Sequence, residues 1–417
     1  MRDEIRERIE AWRRGEVPEG YLVENHQLRP RDWKYEKIGK FLAPHEEFSN
    51  DTEKYALATS SRQGLMPQTD YYSDQRYEET TGGFHVVPED YITYRHMSDD
   101  DIFKFNLNSL GAPVLVSPEY PVFTTTDELN KYMLIEYLNG MKEFRAYCSA
   151  QKKGSTRTRM YFSRLSEFAM PIPPVAEQEQ IAEILSACDR AIELKQKLVE
   201  ELQSLKKTCL AKMFPREGSD APEVRFPGFT EAWKERKLGA LATFINGRAY
   251  SQDELLVSGK YRVLRVGNLY TNASWYYSDL ELDDKFYADN GDLLYTWSAS
   301  FGPHIWSGDR VIYHYHIWKI DLTDQLKKCF AVQLLEQDKE KLLSSKNGSA
   351  MVHVTKEGME RKTVSVPSRV EEQETIGAFL EKLDEDISLH QRELEAAQQK
   401  KKALMQLLLT GLVRVPY

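Results

Sequence analysis

Two stretches of the chain carry apolar residues at alternating spacings of four and three. From Ile181 these steps pass through Leu185, Cys188, Ile192, Lys195, Val199, Leu202, Lys206 and Cys209 to Met213. From Ile376 they pass through Leu380, Leu383, Ile387, His390, Leu394, Ala397, Lys401 and Leu404 to Leu408. Eight of the ten positions are apolar in each stretch, and the polar exceptions fall at equivalent places, 195 with 390 and 206 with 401. Such spacing over about five heptads predicts a coiled-coil seam rather than a single amphipathic face. A helix of 37 residues would be about 55 Å long.

The two stretches are copies. Residues 177–213 and 372–408 align without a gap, and 13 of 37 positions are identical. Both begin with Glu-Gln (Glu177-Gln178 and Glu372-Gln373) and follow a short proline-marked segment, Pro171-Ile-Pro-Pro and Val364-Ser-Val-Pro. Upstream, Trp33-Lys-Tyr-Glu-Lys-Ile-Gly matches Trp233-Lys-Glu-Arg-Lys-Leu-Gly, and Gly154-Ser matches Gly348-Ser. The order is the same in both halves, so the chain is one unit written twice. Equal copies in one chain relate by a pseudo-twofold axis, which makes pairing of the two helices antiparallel. The expected pairing residues are Ile181, Leu185, Ile192, Val199 and Leu202 against Ile376, Leu380, Leu383, Ile387, Leu394 and Leu404. The alternative is that each helix lies on its own domain as an ordinary core helix. Residues 2–14 predict a short charged helix with Ile5, Ile9 and Trp12 on one side. We expect it to pack near the C-terminal helix, as a circularly permuted repeat would require; a simple capping helix is the alternative.

Between the landmarks, residues 31–170 and 221–368 share little sequence. Both are rich in Tyr, Phe and β-branched residues broken by Gly, Pro, Asn and Asp, with helical patterns only near 126–148 and 324–345. The expected fold class is α/β: two strand-rich α/β domains joined by two long helices pairing as an antiparallel coiled coil. The expected boundaries are 1–30 for the N-terminal helix and linker, 31–170 for the first domain and 171–220 for the central helix. The second domain then spans 221–368 and the C-terminal helix 369–417.

Composition places this chain of 417 residues among ordinary globular proteins of two or three domains, at 41% hydrophobic and 29% charged. No apolar run is long enough to span a membrane, and the charged start lacks the apolar core of a signal peptide. Cys148, Cys188, Cys209 and Cys329 have no CxxC spacing, which predicts reduced thiols, a cytoplasmic setting and no metal site. No phosphate-binding loop, GxGxxG, HExxH or GxSxG occurs. Ser117-Pro-Glu-Tyr120 misses the amino-methyltransferase loop at its third residue. The expectation is a non-catalytic chain.

A net charge of -9 is awkward for a nucleic-acid binder, so charge has to be read locally. Residues 142–164 hold seven basic residues and one acidic, and include Gly154-Ser-Thr, a composition suited to phosphate contact. Two aromatic-polar runs, Tyr91–Met97 and Tyr295–His304, mix groups able to reach base edges. The candidate DNA contacts in the first domain are Arg62, Gln63, Tyr94, Arg95, His96, Lys152, Lys153, Arg157 and Arg159. In the second they are Arg248, Tyr250, Arg265, Asn268, Trp297, Ser300, His304 and Lys346. His314 and His316 share a strand face, but no third metal ligand is evident.

The duplicated Trp-x3-Lys-[Ile/Leu]-Gly, Gly-Ser and Glu-Gln-x2-Ile-x3-Leu-x3-Asp-x2-Ile patterns, with the double-Lys helix ending Leu205-Lys-Lys-Thr-Cys-Leu-Ala-Lys-Met-Phe, resemble the specificity subunits of type I restriction–modification systems. The resemblance covers essentially the whole chain, although the spacers before the two Glu-Gln pairs are unequal. It implies two target-recognition domains, each contacting one half of an asymmetric bipartite site on double-stranded DNA, with the paired helices setting the spacing. It also implies two methyltransferase (modification) subunits and restriction/translocase subunits as partners. S-adenosylmethionine, ATP and Mg would then be bound by those partners and not by this chain. Two other readings are a scaffold with ligand-binding domains on a coiled-coil bar, and an enzyme with an unrecognised site.

Overall fold

The computed structural model describes residues 3–71, 83–152, 157–216, 218–298, 300–344 and 354–416. It divides into two compact units, Met1–Lys195 with Glu393–Tyr417, and Gln196–Arg392. The main helices are α1 (Asp3–Arg13), α2 (Lys131–Gly140), α3 (Lys142–Ala150), α4 (Val175–Lys212), α5 (Lys328–Ser344) and α6 (Val370–Leu409). The single helix expected near 126–148 is two, because extended backbone at the buried Met141 ends α2 and starts α3.

Each unit holds a corresponding pair of sheets despite little shared sequence, the second having an extra edge strand, Phe48–Ser49, in unit 1. In unit 1 an antiparallel sheet runs Phe105–Leu107, Ile92–Tyr94, Val122–Thr125, Leu42–Pro44. Its counterpart in unit 2 runs Ser300–Ile305, Leu293–Ser298, Ile317–Leu322, Ala242–Asn246. The second sheet contains one parallel pair in each unit: Val114–Val116 beside Ala56–Ser61, and Val311–Tyr313 beside Tyr261–Leu264. A parallel pair requires a crossover connection, so its recurrence at the same place in both sheets marks common topology. The repeat therefore extends through the two strand-rich domains, and what differs is which side chains they carry.

The Trp, Ile/Leu-Gly and Glu-Gln landmarks recur as one bracket at the root of each domain, whereas Gly154-Ser and Gly348-Ser lie outside the described residues. Ile38 N–H donates to Phe168 O and Leu238 N–H to Lys362 O, both at 2.8 Å. The glycine that follows, Gly39 or Gly239, lets a short helix close onto it; a Cβ on Gly39 would lie 2.6 Å from Ser166 O. The Glu-Gln pair is fully enclosed. Gln178 accepts from Asn130 N–H and donates to Glu128 O and Pro173 O, while Gln373 accepts from Lys327 N–H and donates to Gln325 O and Pro367 O. These amides satisfy backbone groups at the entry to α2 and α5, which are otherwise costly to bury. The neighbouring carboxylate receives the landmark indole: Trp33 Nε1–H donates to Glu177 at 2.9 Å and Trp233 Nε1–H to Glu372 at 3.2 Å.

An arginine completes each bracket, and its source reveals the permutation. In unit 2 it is Arg225, which follows α4 and donates through Nε and Nη2 to Glu372 at 2.7 and 2.8 Å. In unit 1 it is Arg414, at the end of the chain, which donates to Glu177 at 2.7 and 2.8 Å and also reaches Asp32. Val224-Arg-Phe-Pro227 and Val413-Arg-Val-Pro416 are therefore the same element, and the C-terminus finishes the unit that the N-terminus begins. Consistently, Trp12 of α1 packs with Leu407, Leu412, Tyr21 and Leu28, and Tyr21 OH donates to Gly411 O. The expected packing of the first helix near the last is observed.

Within each unit the long helices run antiparallel. Lys195 pairs with Glu393 at 2.7 Å and Lys401 with Asp189 at 2.6 Å in unit 1; Lys206 pairs with Asp384 in unit 2. As one number rises its partner falls. The lysines that interrupt the heptads are thus not defects: Lys401 and Lys206 are equivalent, and each meets the equivalent aspartate of the other helix. Lys401 also touches Glu136, and Asp384 also accepts from Gln333.

The seam is more divided than the heptads suggest. Ile181 and Leu185 join the core of unit 1, and Ile376 and Leu380 that of unit 2. Both readings of the helices hold, in different places: the N-terminal turns are core helices of a domain. Further along, Val199, Leu383, Ile387 and Leu394 are buried, whereas Ile192, Leu202 and Leu404 are only partly covered. One close approach can be tested. A Cβ on Gly377 of α6 would lie 2.5 Å from Cys329 Sγ and 2.7 Å from the backbone of α5. Gly377→Ala is expected to destabilise unit 2 by about 1–3 kcal/mol through overpacking. A thermal melt coincident with that of the parent would show that the helices can separate there at no cost.

Candidate nucleic-acid interface

In unit 1 three of the candidates, Arg62, Gln63 and Arg95, line a polar cleft of about 490 Å³. One wall is the tip of the hairpin Ala56–Ser61/Gly64–Pro67, which presents Arg62 and Gln63 to solvent. Asn106 ties that hairpin down, donating to Ser60 Oγ at 2.8 Å and to Ser61 O at 2.9 Å. The other wall is the segment from Arg95 to Asp99, joined by antiparallel pairing of Met97 with Arg159 and Ser98 with Thr158. Arg95, Arg157 and Arg159 are exposed. Three carboxylates stand among these cations: Asp99 accepts from Arg157 Nε–H at 2.7 Å, Asp100 accepts from Arg62, and Lys152 lies 3.7 Å from Asp101.

Burial decides which members of the 91–97 run can reach a ligand. Arg95 points outward; Tyr94 and His96 point inward. Tyr94 is 0% exposed, donates to Met160 O at 3.0 Å and packs on Phe105, so its candidacy as a DNA contact is corrected to a core role. His96 is also buried, its ring against Tyr161 and its Nε2 4.0 Å from Glu119. Burial outweighs that carboxylate and holds its imidazole below the ordinary value. Lys153 lies outside the described residues.

In unit 2, Arg248, Tyr250, Arg265 and Trp297 meet around the turn His314–Tyr315–His316. Arg248 N–H donates to Tyr313 O and Tyr315 N–H to Arg248 O, and the Trp297 indole donates to Tyr315 O at 3.0 Å. Arg248 is held by Glu254 at 2.6 and 3.1 Å, which fixes its guanidinium and pulls the Glu254 carboxyl down to about 2. The Arg265 guanidinium lies 4.2 Å from the Tyr276 ring centroid and Tyr250 stacks beside His314. Burial, then His316 and Arg265, pushes the His314 imidazole down to about 4. It is neutral at physiological pH and offers hydrogen bonds, not charge. His304 is pushed to about 4 by burial and then Lys339; its Nε2 lies 3.1 Å from Tyr270 OH.

Two further candidates need adjusting. The Asn268 amide is used internally, accepting from Arg265 N–H and donating to Asn272 O and Ser274 O, so it shapes the loop and is not free to read a base. Ser300 is exposed at the first position of its strand, paired with Ser298, and Lys346 lies outside the described residues. The residues that sequence reasoning missed are Tyr315, which is exposed, Tyr270, and the carboxylates Asp99 to Asp101. His314-Tyr-His316 stood out only as a possible metal pair. Its rings are 5.0 Å apart, and no group of three or more metal-ligating side chains occurs among the described residues. Among them, too, no helix is long and apolar enough to cross a membrane.

Comparison with known proteins bears on both units. A family model described as the type I restriction modification DNA specificity domain matches residues 73–204 and again 230–399. The type I restriction enzyme MjaVIII specificity subunit of Methanocaldococcus jannaschii is 24% identical over 420 residues, covering 94% of this chain and 96% of that protein. The crystal structure of a type I restriction-modification system S subunit from M. genitalium superposes with a TM-score of 0.57 at 15% identity, over 90% of this chain and 96% of that one. A second structure, from work on complex assembly and conformational transition of the type I R-M system, gives 0.52 at 14% identity, over 91% and 98%. At these identities the structures establish the fold.

Proposed function

Since this chain belongs to the type I restriction modification DNA specificity domain family and is a specificity subunit with two DNA-recognition domains, we propose that it reads an asymmetric bipartite site, one half per unit. The helices α4 and α6 set the spacing of the halves and recruit methyltransferase and restriction subunits. The observation that carries this reading is one topology presented twice with different side chains at the surface: exposed Arg62, Gln63, Arg95 and Arg159 in unit 1, exposed Tyr315 with half-buried Arg248 and Trp297 in unit 2. Two readers of the same build but different chemistry suit two unlike half-sites. Side chains of this type, arginine and the amide above all, pair with base edges in the major groove and with phosphates. Chemistry is left to the partners, which bring S-adenosylmethionine, ATP and Mg.

The test is single-molecule methylome sequencing of a host expressing this chain with its modification subunit. The expected motif is two short unrelated half-sites around a fixed run of unread base pairs; a continuous palindrome would contradict the proposal. Removing four residues from the middle of both α4 and α6 shortens the helices by about 6 Å, close to two base pairs at about 3.4 Å each. The half-sites should persist while the unread spacer changes length. Recovery of the parental motif would show that the helices do not measure the site.

A further inference from the structure

We propose that Asp99, Asp100 and Asp101 are specificity-determining residues that stand in for DNA phosphates on the basic rim of the unit 1 cleft, an inference that rests on the reading of this cleft as a DNA-contacting surface. The three carboxylates are consecutive, yet their basic partners are all distant from them in the chain. Arg62 is at the tip of the hairpin, Lys152 follows α3, and Arg157 precedes the strand Thr158–Arg159. The loop is also built to hold this position. Asp100 accepts from Ser98 Oγ at 2.9 Å and from Ile102 N–H at 3.3 Å, Asp101 accepts from Thr158 Oγ1, and Asp101 adopts a left-handed φ of 63°.

Stability does not account for the arrangement. Arg62 and Arg157 are 62% and 55% exposed, and Asp100 and Asp99 44% and 69%, and pairs this open contribute little. The Arg62 hydrogen bond does keep the Asp100 carboxyl below its ordinary value. A carboxylate and a phosphate are alternative partners for one guanidinium. A cation already neutralised within the protein releases fewer counterions on DNA, which weakens the sequence-independent part of binding. Base-edge contacts are not weakened by the same term. Specificity is the difference between the two affinities, so the loop raises it. Arg95 and Arg159, which have no ion-pair partner among the described residues, remain to make the first contact.

The experiment uses the full chain assembled with its modification subunits and two duplexes, one bearing the motif from methylome sequencing and one with it scrambled. The variant is Asp99→Asn with Asp100→Asn and Asp101→Asn, since asparagine matches aspartate in shape and tolerates the left-handed backbone. Affinity for the scrambled duplex should rise roughly tenfold, and the dependence of log K on log salt should steepen by about 2–3. The ratio of motif to scrambled affinity should fall accordingly. Glu7→Gln with Glu10→Gln and Glu19→Gln removes the same charge from exposed positions near the N-terminus and should change selectivity little. Equal effects from both triple variants, or unchanged selectivity in the first, would overturn the proposal. Should the triple variant fold poorly, Asp99→Asn alone releases Arg157 and should steepen the slope by about 0.9; no change would count equally against it. Charge reversal at Arg95 and Arg159 separates the two ideas. If reversal weakens binding while the aspartate variants do nothing, the loop proposal fails alone. If reversal does nothing, the cleft is not the DNA surface and both fail.

Discussion

Replacing Glu372 by alanine is expected to destabilise unit 2 by about 3–5 kcal/mol, the cost of stranding one partner of a buried ion pair. The carboxylate is 1% exposed and accepts from both Arg225 and the Trp233 indole. Its hydrogen bonds raise the Arg225 guanidinium above its ordinary value. Alanine leaves a mostly buried guanidinium with only Glu231 O as an acceptor and the indole N–H with none, and neither can regain water fully without opening the root of the domain. For a unit of this size the midpoint of its thermal transition should drop by roughly 6–20 °C. Glu177→Ala should do the same in unit 1 at the lower end of the range, because Arg414 is 28% exposed and keeps Asp32 as a partner. Scanning calorimetry of both variants decides the matter: a shift below one degree in either would mean that the bracket is ornamental.

Charge reversal of Arg95 and Arg159 together is expected to weaken DNA binding by the assembled complex by about 10–100-fold at physiological salt. The salt slope should become shallower by about 2, one unit for each phosphate contact removed. Both side chains are exposed, Arg95 lining the unit 1 cleft and Arg159 on the strand paired with its wall, so folding should be unaffected, and a parental melting temperature serves as the control. The loss should be similar for cognate and scrambled duplexes if these arginines touch backbone. A loss confined to the cognate duplex would instead assign them to base edges, and undiminished binding would remove the cleft from the interface.

Legibility in the sequence followed the range of the interaction involved. The heptads of α4 and α6 are local and periodic, so they could be read directly, including the lysines at 206 and 401. What could not be read was what those lysines meet, since Asp384 and Asp189 lie far away along the chain. Glu177 and Glu372 were visible as landmarks of a repeat, but their chemistry was not, because indole, guanidinium and carboxylate come from three separated segments. The same limit explains Tyr94 and His96. Their residue types suit base recognition, and only the packing of segments distant in the chain shows that both are buried.

The sequence by itself determined that the protein is a duplicated scaffold with two long antiparallel helices, because repetition and 3.5-residue periodicity are properties of the linear chain. Only the tertiary structure decided that the two recognition domains share one topology, that the C-terminal Arg414 completes the first of them, and which predicted contacts stand together at a surface. Sheet pairing and burial depend on residues distant in the chain, and aromatic and basic side chains look alike in sequence whether they end in a core, an ion pair or a cleft.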